Sequence, residues 1–283
     1  SFDNADGTVT AIPKAPERIL SASVAITGTL LAIDAPLVAS ASATNGEFFG
    51  QWADVAAARG VANVWPAGGV DLEAAYAVQP DLIVVASAGG DSALAQVDEL
   101  RRIAPTIVLD YGNHTWQELA LRLGDAIGIR PQAQARIDAF DQHVAQARTR
   151  IRVPEGMANI ISFNGPGINN PIAMPGSAHA QLLEALGFEI EAPDPAWHSG
   201  NAGNRTDFVW AQYENLTRLT APTTFLIRLG RENLQAFTGD PVLANLPSVK
   251  SGQVYSLGEH SFRIDYYSGT EIVDIIVRIF GQQ

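Results

Sequence analysis

Between Pro131 and Arg152 the chain contains neither glycine nor proline. Within that stretch Ala135, Ile137, Phe140, Val144, Ala147 and Ile151 recur at helical spacing, while Arg136, Asp138, Asp141, Arg148 and Arg150 occupy the other face. Such a pattern predicts one long amphipathic helix. A helix of that length in mid-chain allows two architectures. It is either a core helix of a single large domain or a rigid connector between two lobes. The chain has 283 residues, and at roughly 150 residues per domain two compact lobes are expected.

The segments on both sides alternate between strand and helix. On the N-terminal side, strands are predicted at Arg18–Ala22, Leu37–Ser40, Asp81–Ala86 and Thr106–Leu109. Helices are predicted at Ala25–Ile33, Leu72–Ala77, Ser92–Ile103 with Asp91 as its cap, and Trp116–Ile127 closed by Gly128. The continuous apolar run Leu82–Ala86 is the kind of strand buried on both faces of a sheet. After Pro154 the alternation resumes. Strands are expected at Asn159–Phe163, Phe188–Ile190, Thr224–Arg228 and Gln253–Ser256. Helices are expected at His179–Leu186, capped by Gly187, at Pro241–Ala244 and at Tyr266–Phe280, with a helix or turn entered at Phe208–Glu214. Repeated βαβ units of this kind define an α/β protein with open sheets.

Composition narrows the function. Eighteen Lys and Arg against 30 Asp and Glu leave a formal net charge of −12. That makes nucleic acid and anionic membrane surfaces poor partners. There is no cysteine, which removes disulfides, thiolate metal sites and cysteine nucleophiles. No apolar run approaches the ~18 residues that span a bilayer. The start at Ser1-Phe2-Asp3 reads as a processed chain and makes export plausible. No Gly-x-Ser-x-Gly elbow, phosphate loop or His-Glu-x-x-His motif occurs, and the five histidines are scattered (His114, His143, His179, His198, His260). Enzymatic roles and a metal site of the protein's own are therefore unsupported. Gly89-Gly90-Asp91 opens a predicted helix and could hold an anion there, although tight-turn geometry explains it equally well.

One feature runs against the acidic whole. Arg205, Arg228, Arg231 and Arg263 all fall at predicted strand ends or in loops, where open α/β sheets carry ligand sites. Trp65, Trp197, Tyr266 and Tyr267 could supply rings. Taken singly, each arginine also reads as a surface ion-pair residue and each ring as core packing. Guanidinium groups pair with oxygen anions and stack on aromatic faces. The set suits a bulky, anionic, aromatic ligand.

Several stretches carry a resemblance. Pro16-Glu17-Arg18-Ile19-Leu20, Leu72-Glu73 ahead of Gln79-Pro80-Asp81-Leu82-Ile83, and the long central helix resemble the solute-binding proteins of iron-siderophore and vitamin B12 ABC importers. Leu30–Pro36, Ala88–Ala95 and Phe262–Ser268 are most similar to the family's ferric-enterobactin-binding members. The resemblance implies two Rossmann-like α/β lobes joined by one long rigid helix: residues 1–128, connector 129–153, and residues 154–283. It implies an extracytoplasmic, non-enzymatic protein that captures a ferric catecholate siderophore between the lobes and delivers it to an inner-membrane ABC permease. Arg205 and Arg263 match ligand-contacting positions of the family. Arg228 and Arg231 lie where this chain departs from those relatives. Glu73 and Glu214 match permease-docking positions. Iron would travel inside the siderophore, with no cofactor of the protein's own. A monomer is expected, periplasmic or, if an upstream cysteine was removed, lipid-anchored. Another siderophore, haem or a corrinoid remains the alternative ligand, and an enzyme on a similar two-lobed scaffold the alternative class.

Overall fold

A computed structural model describes residues 1–200 and 207–282. Its contacts divide the chain into two compact units, Ser1–Phe140 with Asp265–Tyr267, and Asp141–Ile264 with Ser268–Gln283.

The first unit opens with an antiparallel pair, β1 (Phe2–Asp3) and β2 (Val9–Thr10). It continues through β3 (Ile19–Ser21), α1 (Val24–Ala32), β4 (Leu37–Ser42), α2 (Gly50–Ala58) and β5 (Ala62–Pro66). Then come α3 (Leu72–Ala77), β6 (Leu82–Ala86), α4 (Val97–Ile103), β7 (Thr106–Leu109) and α5 (Trp116–Ile127). The five strands β3–β7 form an all-parallel sheet in the order β5-β4-β3-β6-β7. Counted along the chain this is 3-2-1-4-5, the Rossmann-like arrangement whose winding reverses between β3 and β6. Every residue of β6 is buried, as a central parallel strand requires. The termini of α5 follow from its sequence. Thr115 and Glu118 form a reciprocal capping box, and Gly128 adopts φ 81°, a left-handed conformation that glycine enters without steric cost.

The first unit corrects three expectations. The helix predicted at Ser92–Ile103 is a 3₁₀ turn at Leu94–Gln96 followed by α4. Asp91 does not cap it. Its carboxylate is 8% exposed and accepts from Ser23 Oγ (2.6 Å), the Ala25 N–H (3.0 Å) and the Tyr111 hydroxyl (2.8 Å). It thereby caps α1, which is buried along its whole length. Gly89-Gly90-Asp91 therefore serves the fold by aiming a carboxylate at α1, and the helix it was expected to open starts only later, at Val97. The strand β5 and helix α2 escape the sequence reading because Ala, Gly and Asn give them little periodicity.

Helix α6 (Arg130–Arg150) is the long helix the sequence predicts, and its residues fall in both compact units. Its buried stripe is Ala133, Ile137, Phe140, Val144 and Ala147. Ala135 is exposed, one position off the stripe.

The second unit contains β8 (Met157–Ile161), β9 (Asn170–Ala173), α7 (Ala178–Ala185), β10 (Glu189–Ile190) and β11 (Phe208–Ala211). After these come β12 (Thr223–Leu226), α8 (Gln235–Thr238), α9 (Pro247–Ser251), β13 (Val254–Ser256) and α10 (Tyr266–Phe280). Strands β10, β8, β12 and β13 run parallel, and β9 and β11 extend the sheet antiparallel. Phe208–Ala211 is a strand, not a helix or turn, because its apolar residues pair with β9; a 3₁₀ turn follows at Tyr213–Arg218. The helix expected at Pro241–Ala244 is a run of turns: Asp240 Oδ1 accepts the Val242 N–H (2.9 Å), and the helix begins only at Pro247. Phe225 on β12 is 0% exposed and meets Phe188, Phe280 and Tyr255 at ring-centroid distances of 5.2, 6.2 and 6.1 Å.

Candidate ligand-binding site

Three of the residues that matter lie together in the second unit, at the C-terminal end of β12. The strand is wholly buried. Two residues beyond it Arg228 emerges into solvent with φ 65°. That left-handed backbone is uncommon for a side chain other than Gly, Asn or Asp and costs about 1–2 kcal/mol. The Arg228 N–H donates to Ser261 Oγ (3.1 Å), and the guanidinium carbon stands 5.2 Å from the centre of the Phe262 ring. The next residue, Arg263, is half-buried, and its carbonyl accepts from Ser268 Oγ (2.5 Å). An exposed guanidinium over an aromatic ring, with a second arginine half-buried next in the chain, thus comes from one strand end and one loop, a set suited to an oxygen-rich aromatic anion.

Beneath this loop lies His179 on α7, 5% exposed. Its Nε2–H donates to the Ser261 carbonyl (2.6 Å), and its ring meets Phe208 edge-on at 5.4 Å. Burial holds the imidazole down to about 4, and the Arg263 charge acts in the same direction. The Ser261 hydrogen bond and Asp207 oppose them. The ring is therefore neutral at pH 7.

The other expected residues lie elsewhere. Arg205 is outside the described residues. Arg231 begins a short 3₁₀ turn, Arg231–Asn233, and lines a hollow of about 650 Å³ with Tyr255, Glu259 and Arg278. Trp197 ends the 3₁₀ turn Pro195–Trp197, half-buried against the second unit's core. Tyr266 and Tyr267 group with the first unit. There Tyr266 packs edge-on to Trp116 (5.8 Å), and the Arg136 guanidinium sits 5.0 Å from its ring. Arg136 also donates to the Ala32 carbonyl (2.7 Å) and pairs with Asp34 (3.3 Å), which in turn pairs with Arg59 (2.5 Å). Burial pushes the half-buried Tyr267 phenol up, against Arg59 and Arg136, which pull it down. Trp65 is 4% exposed in the first unit's core beside Leu20 and Ile83, with its ring committed to packing. Glu73 is exposed in the first turn of α3, and Glu214 is exposed in the 3₁₀ turn Tyr213–Arg218. Phe262, Ser261 and His179 join the site without having been assigned a ligand role from the sequence. Among the described residues, no three His, Cys, Asp or Glu side chains gather as metal ligands.

The strain at Arg228 has a measurable consequence. Arg228→Gly should leave stability unchanged or raise it by up to about 1 kcal/mol, because relief of the left-handed backbone outweighs glycine's added unfolded-state entropy. The same variant should bind an anionic ligand more weakly. A denaturant melt showing clear destabilisation would contradict the strain.

Two α/β units share helix α6, and at one strand end a guanidinium stands over an aromatic ring, an arrangement met in solute-binding proteins. The chain belongs to the periplasmic binding protein family, whose profile matches residues 19–260. It is 38% identical over 274 residues to the ferric enterobactin-binding periplasmic protein FepB of Escherichia coli, covering 94% of this chain and 86% of that one. Among solved structures, holo-ViuP is 52% identical with a TM-score of 0.95, covering 99% of this chain and 95% of that one. Staphylococcus aureus SirA complexed with staphyloferrin B shares the fold, with a TM-score of 0.76 at 19% identity over 98% of this chain and 97% of that one. No helix among the described residues is long and apolar enough to cross a membrane.

Proposed function

We propose that this protein is an extracytoplasmic, monomeric, non-enzymatic binding protein of an ABC importer, and that it captures a ferric catecholate siderophore of the enterobactin type. The observation that carries the reading is the Arg228 guanidinium over the Phe262 ring, with Arg263 next to that ring in the chain, in a protein otherwise strongly acidic. The likeness to FepB supports the same ligand class. A tris-catecholate of Fe³⁺ sets six phenolate charges against three and is trianionic. Taking such an ion out of water requires opposite charge at the site. Arg263 and Arg228 supply it, with Arg205 and Arg231 assisting. Trp197, Tyr266 and Tyr267 offer further rings; Trp65 has no free face to offer. The iron stays ligated by siderophore oxygens. A lobe over 1–128, a connecting helix over 129–153 and a lobe over 154–283 describe the organisation, supported by a division of the contacts that falls within α6.

The test is a tryptophan-quenching titration against ferric enterobactin, a ferric hydroxamate, haem and cobalamin, followed by recovery of the ligand. Saturable binding of the ferric catecholate with intact ligand returned is the expected result. Preference for haem or cobalamin, or hydrolysed ligand, would overturn the reading.

Delivery to the permease is assigned to Glu73 and Glu214, both exposed. Glu73→Ala and Glu214→Ala should each lower siderophore uptake while leaving ligand affinity unchanged, since removing a rim charge slows recognition of a partner without touching the ligand site. Loss of ligand binding by either purified variant would remove that residue from the docking role.

A further inference from the structure

We infer that Ser261 and His179 are positioning residues for ligand capture, fixing from one loop the two arginines assigned above to the ligand, Arg228 and Arg263. The inference rests on that assignment.

Ser261 is 1% exposed, and each of its polar groups on the loop is engaged. Its hydroxyl accepts the Arg228 N–H (3.1 Å) and donates to the Gly258 carbonyl (2.6 Å), while its own carbonyl accepts the His179 Nε2–H (2.6 Å). The first bond holds Arg228 in a backbone conformation that its side chain disfavours. The third fixes the peptide that leads directly into Phe262 and Arg263. His179 is held by burial and by the edge of Phe208, so its donor points one way. Neither Ser261 nor His179 has surface to offer a ligand, and any effect they have on binding passes through Arg228, Phe262 and Arg263. A buried polar network of this kind specifies one geometry only when every member is satisfied.

The experiment titrates ferric enterobactin into the wild type and into Ser261→Ala, His179→Phe, His179→Gln, Arg228→Ala, Arg263→Ala and the Ser261→Ala/Arg228→Ala double variant. Each melting temperature is recorded. Ser261→Ala and His179→Phe should each weaken binding by about 5-fold or more, the scale of one lost hydrogen bond. His179→Gln keeps a donor and should recover to within about 2-fold of wild type. Ser261→Ala should add little once Arg228 is already alanine, because it acts through that residue. Tyr213→Phe breaks the Tyr213–Asp240 bond elsewhere in the unit and should lower the melting temperature alone.

A stability profile checks the imidazole. Its folded pKa lies below the unfolded value, so its contribution is complete above about 6.5 and is lost as pH falls towards about 4. Arg263 and Asp207 are the charges that face it. His179→Gln should lack this acid-side loss; an unchanged profile would overturn the neutral donor and the inference with it. If the arginine variants weaken binding and Ser261→Ala and His179→Phe do not, the positioning role falls while the ligand site stands. If neither arginine variant weakens binding, the site assignment falls and takes the positioning role with it. Should His179→Phe fail to fold, Ser261→Ala and the double variant decide.

Discussion

Arg263→Ala should weaken ferric enterobactin binding roughly 30-fold or more, chiefly through faster dissociation. Truncating one partner of a desolvated charge pair costs about 2–5 kcal/mol, and each ~1.4 kcal/mol is tenfold in affinity. The half-buried position of Arg263 places it within that range, since a guanidinium partly withdrawn from water is screened less than one on the rim. Arg102→Ala, an exposed change in the first unit, is the control and should leave affinity as it was. Arg263→Lys should recover only part of the loss, because an ammonium keeps the charge but neither the fork geometry nor the flat stacking face. Equal affinity of Arg263→Ala and wild type, measured by quenching and by competition, would remove Arg263 from the site.

Phe225→Ala should destabilise the second unit by about 3–5 kcal/mol, the usual cost of deleting a fully buried phenylalanine. The ring is central to an aromatic group comprising Phe188, Tyr255 and Phe280, so its loss leaves a cavity lined by rings from β13, α10 and the turn before β10 that cannot all close in. Guanidinium-induced unfolding followed by circular dichroism should show the midpoint moving to lower denaturant. Phe225→Leu should lose much less. A shift of under about 1 kcal/mol for the alanine variant would mean that the core repacks, contrary to interiors packed at crystal-like density.

The helices with strong punctuation were legible in the sequence. Leu72–Ala77, Trp116–Ile127 and Tyr266–Phe280 appear where the pattern places them, because proline, a capping box and glycine mark their ends. Periodicity carried less information where small residues dominate. Gly50–Ala58 has only Trp52 and Ala56 buried, too few to declare a face. Asp91 shows a different limit. An acidic residue ahead of a helical pattern reads as that helix's cap, yet its carboxylate serves a helix 66 residues earlier, a choice made by the sheet's topology. The candidate site divides in the same way. Arg228 and Arg263 could be suspected from charge in an acidic chain, since each stands beside a strand or motif. His179 could not, because the carbonyl it holds is 82 residues away. Nor does a string of letters reveal the positive φ at Arg228.

The Asp91 plug also bears on what the first unit refuses. A sheet wound in this order has one natural seat for phosphate, where the winding reverses between the neighbouring strands β3 and β6 and α1 begins. Here the seat is taken from within by a carboxylate tied to Ser23, Ala25 and Tyr111. A phosphate arriving there would meet a resident negative charge that already holds the Ala25 amide. The frame common to nucleotide-binding sheets is kept, with its phosphate seat occupied by the protein's own side chain.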